Sequence, residues 1–206
     1  MIDATLRRFL DPVLEPLAER LSKTGVRANA ITLAGFAVGM LAVPLLALQH
    51  WWLGLLAIAL NRLADGLDGA VARRTRVSDL GAYLDIVLDF MVYAGVVFGF
   101  CLAEPANSIY GAFLLFSFFA SGSTFLGYAI LAARRNITTE IRGKKSIYYL
   151  GGLTEGFETI LAFALMCVFP GAFPAIAVVF GVLCWITGAT RIGWAWRTLK
   201  DPAGVP

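Results

Sequence analysis

Residues 61–90 read NRLADGLDGAVARRTRVSDLGAYLDIVLDF. Asp65 and Asp68 stand three apart, and Asp85 and Asp89 four apart, so each pair shares one face of a helix. A short polar turn, about Arg74 to Ser78, separates the two helices, and the spacing predicts an antiparallel pair. Both acid pairs then lie near the same ends of that pair and meet at a similar depth. The chain around them is apolar: 59% of its 206 residues are hydrophobic and 15% charged, with a mean hydropathy of +0.75. A soluble domain is about 45–50% apolar. The excess sits in long runs, which read as membrane-crossing helices.

Working outward, six spans are predicted, at 29–48, 51–73, 79–103, 108–133, 153–169 and 173–196. Each approaches the roughly 20 residues a span needs, the fifth being the shortest. The connections at 49–50, 104–107 and 170–172 hold no Lys or Arg. All 17 cations belong to the other end. Arg7, Arg8, Arg20, Lys23 and Arg27 precede the first span; Arg73, Arg74 and Arg76 follow the second. Arg134, Arg135, Arg142, Lys144 and Lys145 follow the fourth, and Arg197 and Lys200 follow the sixth. Arg62 and Arg191 lie inside helices but nearer that end. Such asymmetry puts both termini and the basic loops on the cytoplasmic side of the membrane. It also accounts for the net charge of +3 without a nucleic-acid partner.

Residues 1–25 form a separate amphipathic juxtamembrane segment. Leu6, Phe9, Leu10, Val13, Leu14, Leu17 and Leu21 follow helical spacing among charges, as in a helix lying on the membrane surface. Pro12 and Pro16 are expected to interrupt or kink it. No cleavable signal pattern is visible there. Residues 26–200 make one transmembrane domain, and 201–206 a loose tail. The fold class is therefore all-α, a polytopic bundle of six helices with an N-terminal surface helix. Trp51, Trp52, Trp194 and Trp196, at helix ends, read as an interfacial belt, and His50 sits beside it. Cys101, Cys167 and Cys184 lack metal-ligand spacing and read as small buried hydrophobes.

Four carboxylates in a low-dielectric site require compensation, because an unpaired charge inside a membrane helix costs several kcal/mol (about 2.5–3.5 on insertion scales). Oxygen-only ligands suit hard divalent ions. Two such ions balance four ionised acids and form a clamp suited to displacement at phosphorus. Gly66, Gly69 and Gly81 each cost roughly 1 kcal/mol in a helix against Ala, a cost that close approach by a bulky ligand would offset. Arg73 supplies a fixed charge suited to a diphosphate.

The pattern D-x2-D-G-x2-A-R-x7-G-x3-D-x3-D is filled at Asp65, Asp68, Gly69, Ala72, Arg73, Gly81, Asp85 and Asp89. It resembles the signature of the CDP-alcohol phosphotransferases. Within them the chain resembles a bacterial inner-membrane branch, the YnjF type, over Asn61 to Asp89 and over KKSIYYLGGLTEGFETI at 144–160. The resemblance implies Asp65, Asp68 and Asp85 as ligands of Mg²⁺ or Mn²⁺. It implies Asp89 as general base on the acceptor hydroxyl, also touching a second ion. Gly69, Ala72, Arg73 and Gly81 would shape the CDP site. Asn29 and Thr32, in ANAIT, resemble the family's PN-x-x-T pattern with Ala28 in place of proline; they would touch the donor, although Asn29 equally suits a helix cap. The implied reaction is attack by a hydroxyl on the phosphorus bearing the alcohol, with release of CMP, by a homodimer.

Acceptor contacts are read from the residues alone. Arg142, Lys144 and Lys145 suit an acceptor phosphate, the donor lipid head or a positive-inside loop. Arg191 lies within a helix and needs a partner; Glu155 and Glu158 share a face of the fifth helix and could pair with it or hold a polar acceptor. Ser121, Gly122, Ser123 and Thr124 read as a packing seam. The leading function is transfer of phosphatidyl from CDP-diacylglycerol to a small alcohol in phospholipid synthesis. The alternatives are a CDP-linked small alcohol donating to a lipid, a cation or proton transporter, and an inactive scaffold. Acids gathered at one face, with no ionisable path beyond, argue against transport.

Overall fold

The structure, a computed structural model, describes residues 2–135 and 152–200. Among these residues the regular elements are helical: α1 Ile2–Lys23, α2 Ala28–Met40, α3 Ala42–Ala47, α4 Trp51–Arg74, α5 Asp79–Ala103, α6 Ser108–Arg134, α7 Gly156–Val168 and α8 Phe173–Leu199. Short 3₁₀ turns at Pro105–Asn107 and Pro170–Ala172 lead into α6 and α8. Pro44 has no N–H to offer Met40, and the first span breaks at Leu41 into α2 and α3.

Four stretches are long and apolar enough to cross a membrane: Ala28–Ala47, Asp79–Ala103, Pro105–Arg134 and Pro170–Leu199. The other two expected spans differ from these for separate reasons. The 24 residues of α4 reach about 36 Å, but Arg62, Asp65, Asp68, Arg73 and Arg74 break its apolar character. The 13 residues of α7 reach only about 20 Å against a hydrocarbon core of about 30 Å.

The main core joins Leu46, Ile58, Val96, Phe100, Leu114, Phe163, Met166 and Phe173, drawn from α3 through α8. Phe100 stacks on Trp51 at 5.4 Å and on Phe173 at 4.9 Å. Trp51 is half-buried and packs against the core, while Trp52, Trp194 and Trp196 are exposed. In α1 the helix runs through Pro12 and Pro16 without interruption. Its second half is held by tertiary contact: Leu14 and Ala18 are buried, Ala18 against Ala70 and Val71 of α4, and Glu15 pairs with Arg74.

The two helices expected to pair, α4 and α5, bring their acids together without packing closely side by side. They make few direct contacts, because α2 packs against both. Gly35 and Gly39 allow that approach. A Cβ on Gly35 would stand 2.5 Å from the Ala64 Cβ, and one on Gly39 2.9 Å from Asn61 Cγ and 3.0 Å from Val92 Cγ2. Small residues one turn apart let membrane helices approach backbone to backbone. The wedged α2 leaves a cleft between α4 and α5.

Candidate active site

The cleft is lined by Thr32, Gly35 and Phe36 of α2, by Asn61, Asp65 and Asp68 of α4, and by Asp85, Leu88 and Asp89 of α5. Asp65, Asp68 and Asp85 each offer one oxygen, and these three lie within 4.8 Å of one another. Metal–oxygen bonds of about 2.0–2.6 Å put ligands on opposite sides of one ion about 4–5 Å apart. Spacing and all-oxygen chemistry therefore both fit a hard divalent ion. Asp68 is buried and accepts a 2.5 Å hydrogen bond from the Thr32 hydroxyl. Thr32, expected at the donor, thus touches a candidate metal ligand.

Asp89 faces the same cleft but is held differently. Both its oxygens accept from the Arg62 guanidinium, Oδ2 from Nη1 at 2.8 Å and Oδ1 from Nη2. Arg62 is itself clamped. Its Nε and Nη2 donate to Asn61 Oδ1 at 3.1 and 2.8 Å, and Nη1 donates to the Tyr93 hydroxyl at 3.3 Å. Asn61 in turn donates to the Gly35 carbonyl at 3.0 Å. Arg62 Nη1 also lies 3.6 Å from Asp65. Four carboxylates line the cleft beside one guanidinium, an excess of negative charge that a divalent ion relieves.

Sequence reasoning did not single out Arg62 or Tyr93 as site residues. The signal for Arg62 was present, because an arginine inside a membrane helix, one turn before an aspartate, requires anions. Tyr93 follows Asp89 by one helical turn, but an aromatic in an apolar helix gives no such signal.

The remaining candidates surround this centre. A Cβ on Gly69 would stand 3.3 Å from Arg73 Nη1, so Arg73 folds back over Gly69, one turn past the acids, with Ala72 beside it. A Cβ on Gly81 would stand 3.1 Å from Asn29 Oδ1, so Asn29 bridges the starts of α2 and α5. The N-cap of α2 is Arg27, not Asn29. Ser78 caps α5, accepting from the Gly81 amide at 3.1 Å. Gly66 faces Leu14 of α1 rather than the cleft.

Glu155 precedes α7 as its N-cap rather than lying within the helix, and it forms a reciprocal capping box with Glu158. Glu158 accepts from the Glu155 amide at 3.0 Å. The start of α7 nevertheless borders the site, for a Cβ on Gly156 would lie 3.8 Å from the Tyr93 hydroxyl. Arg191 is buried between α6 and α8. It donates to the Ser121 carbonyl and hydroxyl at 3.1 and 3.2 Å and lies over Phe125. Ser121 therefore belongs to the predicted seam. Arg142, Lys144 and Lys145 fall outside the described residues.

The sequence profile of the CDP-alcohol phosphatidyltransferase family matches residues 26–190. The chain is 50% identical over 202 residues to the inner membrane protein YnjF of Escherichia coli, covering 98% of both. It is 27% identical over 188 residues to the archaetidylinositol phosphate synthase of Pyrococcus horikoshii, covering 91% of this chain and 93% of that one. Its fold matches the Mycobacterium tuberculosis phosphatidylinositol phosphate synthase PgsA1 with CDP-DAG bound, at a TM-score of 0.73 and 19% identity, over 94% of this chain and 100% of that one. The same protein in complex with manganese and citrate matches at 0.72 and 20% identity, over 94% and 92%.

Proposed function

Because this chain belongs to the CDP-alcohol phosphatidyltransferase family, we propose that it transfers a phosphatidyl group from CDP-diacylglycerol to a small hydroxyl-bearing acceptor, releasing CMP. Membership makes it an enzyme of lipid synthesis and sets aside the transporter and inactive-scaffold readings. The observation that carries the site assignment is the three-carboxylate cluster of Asp65, Asp68 and Asp85 in the cleft. PgsA1, solved with CDP-DAG and with manganese, supports the donor and the metal class. An apolar groove of about 330 Å³ along α2 and α4, lined by Ile31, Ala34, Val38 and Leu60 among others, shares Gly35 with the cleft and suits a lipid chain.

Two Mg²⁺ or Mn²⁺ ions, held by Asp65, Asp68 and Asp85 with Asp89 at the second, would neutralise charge on the diphosphate. Arg73, with Gly69, Ala72, Gly81 and Asn29, binds the CDP portion at the mouth of the cleft. Thr32 orients Asp68. Asp89 takes the proton of the acceptor hydroxyl as its oxygen attacks the phosphorus bearing the diacylglycerol. The bond from that phosphorus to the bridging oxygen breaks, and CMP leaves with that oxygen. Glu155, Glu158, Arg191 and the basic residues Arg142, Lys144 and Lys145 are the acceptor-side candidates. The chain works as a homodimer of six-span protomers in the bacterial inner membrane, with the α1 surface helix, the termini and the site at the cytoplasmic face; the name of the Escherichia coli relative supports that membrane.

The test is CMP release by purified protein given CDP-diacylglycerol and Mg²⁺ or Mn²⁺, with acceptors added singly. Stimulation by one acceptor supports the reading and names the product. A folded protein that releases no CMP with any acceptor overturns the assignment of the donor.

A further inference from the structure

The Arg62 guanidinium occupies a position that a cation in a carboxylate clamp would take. Its Nη1 lies 2.8 Å from one oxygen of Asp89 and 3.6 Å from Asp65, bridging the acid of α5 that lies outside the three-oxygen cluster and an acid inside it. Its other donors are satisfied by Asn61 and by the second Asp89 oxygen. Since α4 and α5 hardly touch, this ion pair spans the cleft and sets where the Asp89 carboxylate points. A bidentate arginine fork is planar and directional, and it cannot share its place with a divalent ion.

We infer that Arg62 stands in for a second metal ion in the substrate-free enzyme. It positions Asp89 and withholds it from metal, so that the free chain takes up one divalent ion at Asp65, Asp68 and Asp85. The donor diphosphate, itself an anion, is the partner that draws the guanidinium off Asp89 and opens the second position. Arg62 thereby couples entry of the second ion to the presence of substrate and keeps the general base from being spent on metal alone. This rests on the metal-site reading given above.

The experiment counts Mn²⁺ bound per chain, by equilibrium titration read by electron paramagnetic resonance, in purified protein without nucleotide or lipid donor. Wild type should bind one ion, and Asp68→Asn should lose it. Arg62→Ala should bind two, Arg62→Lys should return towards one because it restores the charge, and the double variant R62A/D89N should bind one because the added ion needs Asp89. Arg62→Gln, which keeps a donor towards Asn61, serves if Arg62→Ala does not fold. Two ions on substrate-free wild type, or one ion on both Arg62→Ala and Arg62→Gln, would overturn the inference while leaving the three-acid site intact. No Mn²⁺ on wild type, with Asp68→Asn indistinguishable from it, would overturn the metal-site reading and this inference together.

Discussion

Asp89 pairs with Arg62 across the cleft, apart from the three carboxylates that gather at its centre. Four aspartates at fixed spacing could be read from the sequence as one site, because the periods of two helices put them on facing sides. Their division could not. Asp65, Asp68 and Asp85 gather their oxygens within 4.8 Å, whereas Asp89 is gripped by Arg62 and approached by Tyr93. That separation fits Asp89 for proton transfer rather than for the main metal position. Asp89→Asn should lower CMP release by about 10²–10⁴-fold, the usual contribution of a general base, while Mn²⁺ binding at the other three acids persists. Equal loss of turnover and of Mn²⁺ binding would instead make Asp89 a ligand of the first ion.

At the scale of the element, the decisive feature is α2. Its Gly35 and Gly39 let it lie against both α4 and α5, and the acid cleft exists because of that wedge. Gly35→Ala should destabilise the protein by about 1–3 kcal/mol, the range for overpacking a tight contact, since the new Cβ would meet Ala64 at 2.5 Å. Gly127→Ala in α6 provides the contrast: nothing lies within 4 Å of its added Cβ, and the helix should gain about 0.5–1 kcal/mol. Thermal melts of the two variants in detergent, followed by tryptophan fluorescence, should shift in opposite directions. A neutral Gly35→Ala would show that the seam between α2 and α4 is loose. Glu155 and Glu158 cap α7 through each other's amides, so its helical part begins at Gly156.

At the scale of the whole molecule, the cation-rich helix ends are gathered at one end of the bundle. Arg135 near the end of α6 donates to the Leu199 carbonyl at the end of α8, Glu15 of α1 meets Arg74 at the end of α4, and Asn29 at the start of α2 meets Gly81 at the start of α5. The topology proposal places this end in the cytoplasm. In a cysteine-free background, Gln49→Cys should react with a membrane-impermeant maleimide on intact cells. Arg76→Cys should react only after the membrane is opened. The reverse pattern would invert the orientation and move the site to the outer face.

Composition and period by themselves determined that this chain is helical, membrane-embedded and built around an acid motif, because hydropathy and spacing are local properties written along the strand of residues. The ends of α4, α5, α6 and α8 follow from that reading to within a few residues. Only the tertiary structure decided that α2 packs against both α4 and α5, that Trp51 stacks on Phe100 of the core, that Gly66 faces α1, and that Arg62 pairs with Asp89. Each of these depends on which faces of distant segments meet, and on a buried charge finding the nearest opposite charge across a cleft. No window of sequence encodes that alone, since the partners Arg62 and Asp89 stand 27 residues apart.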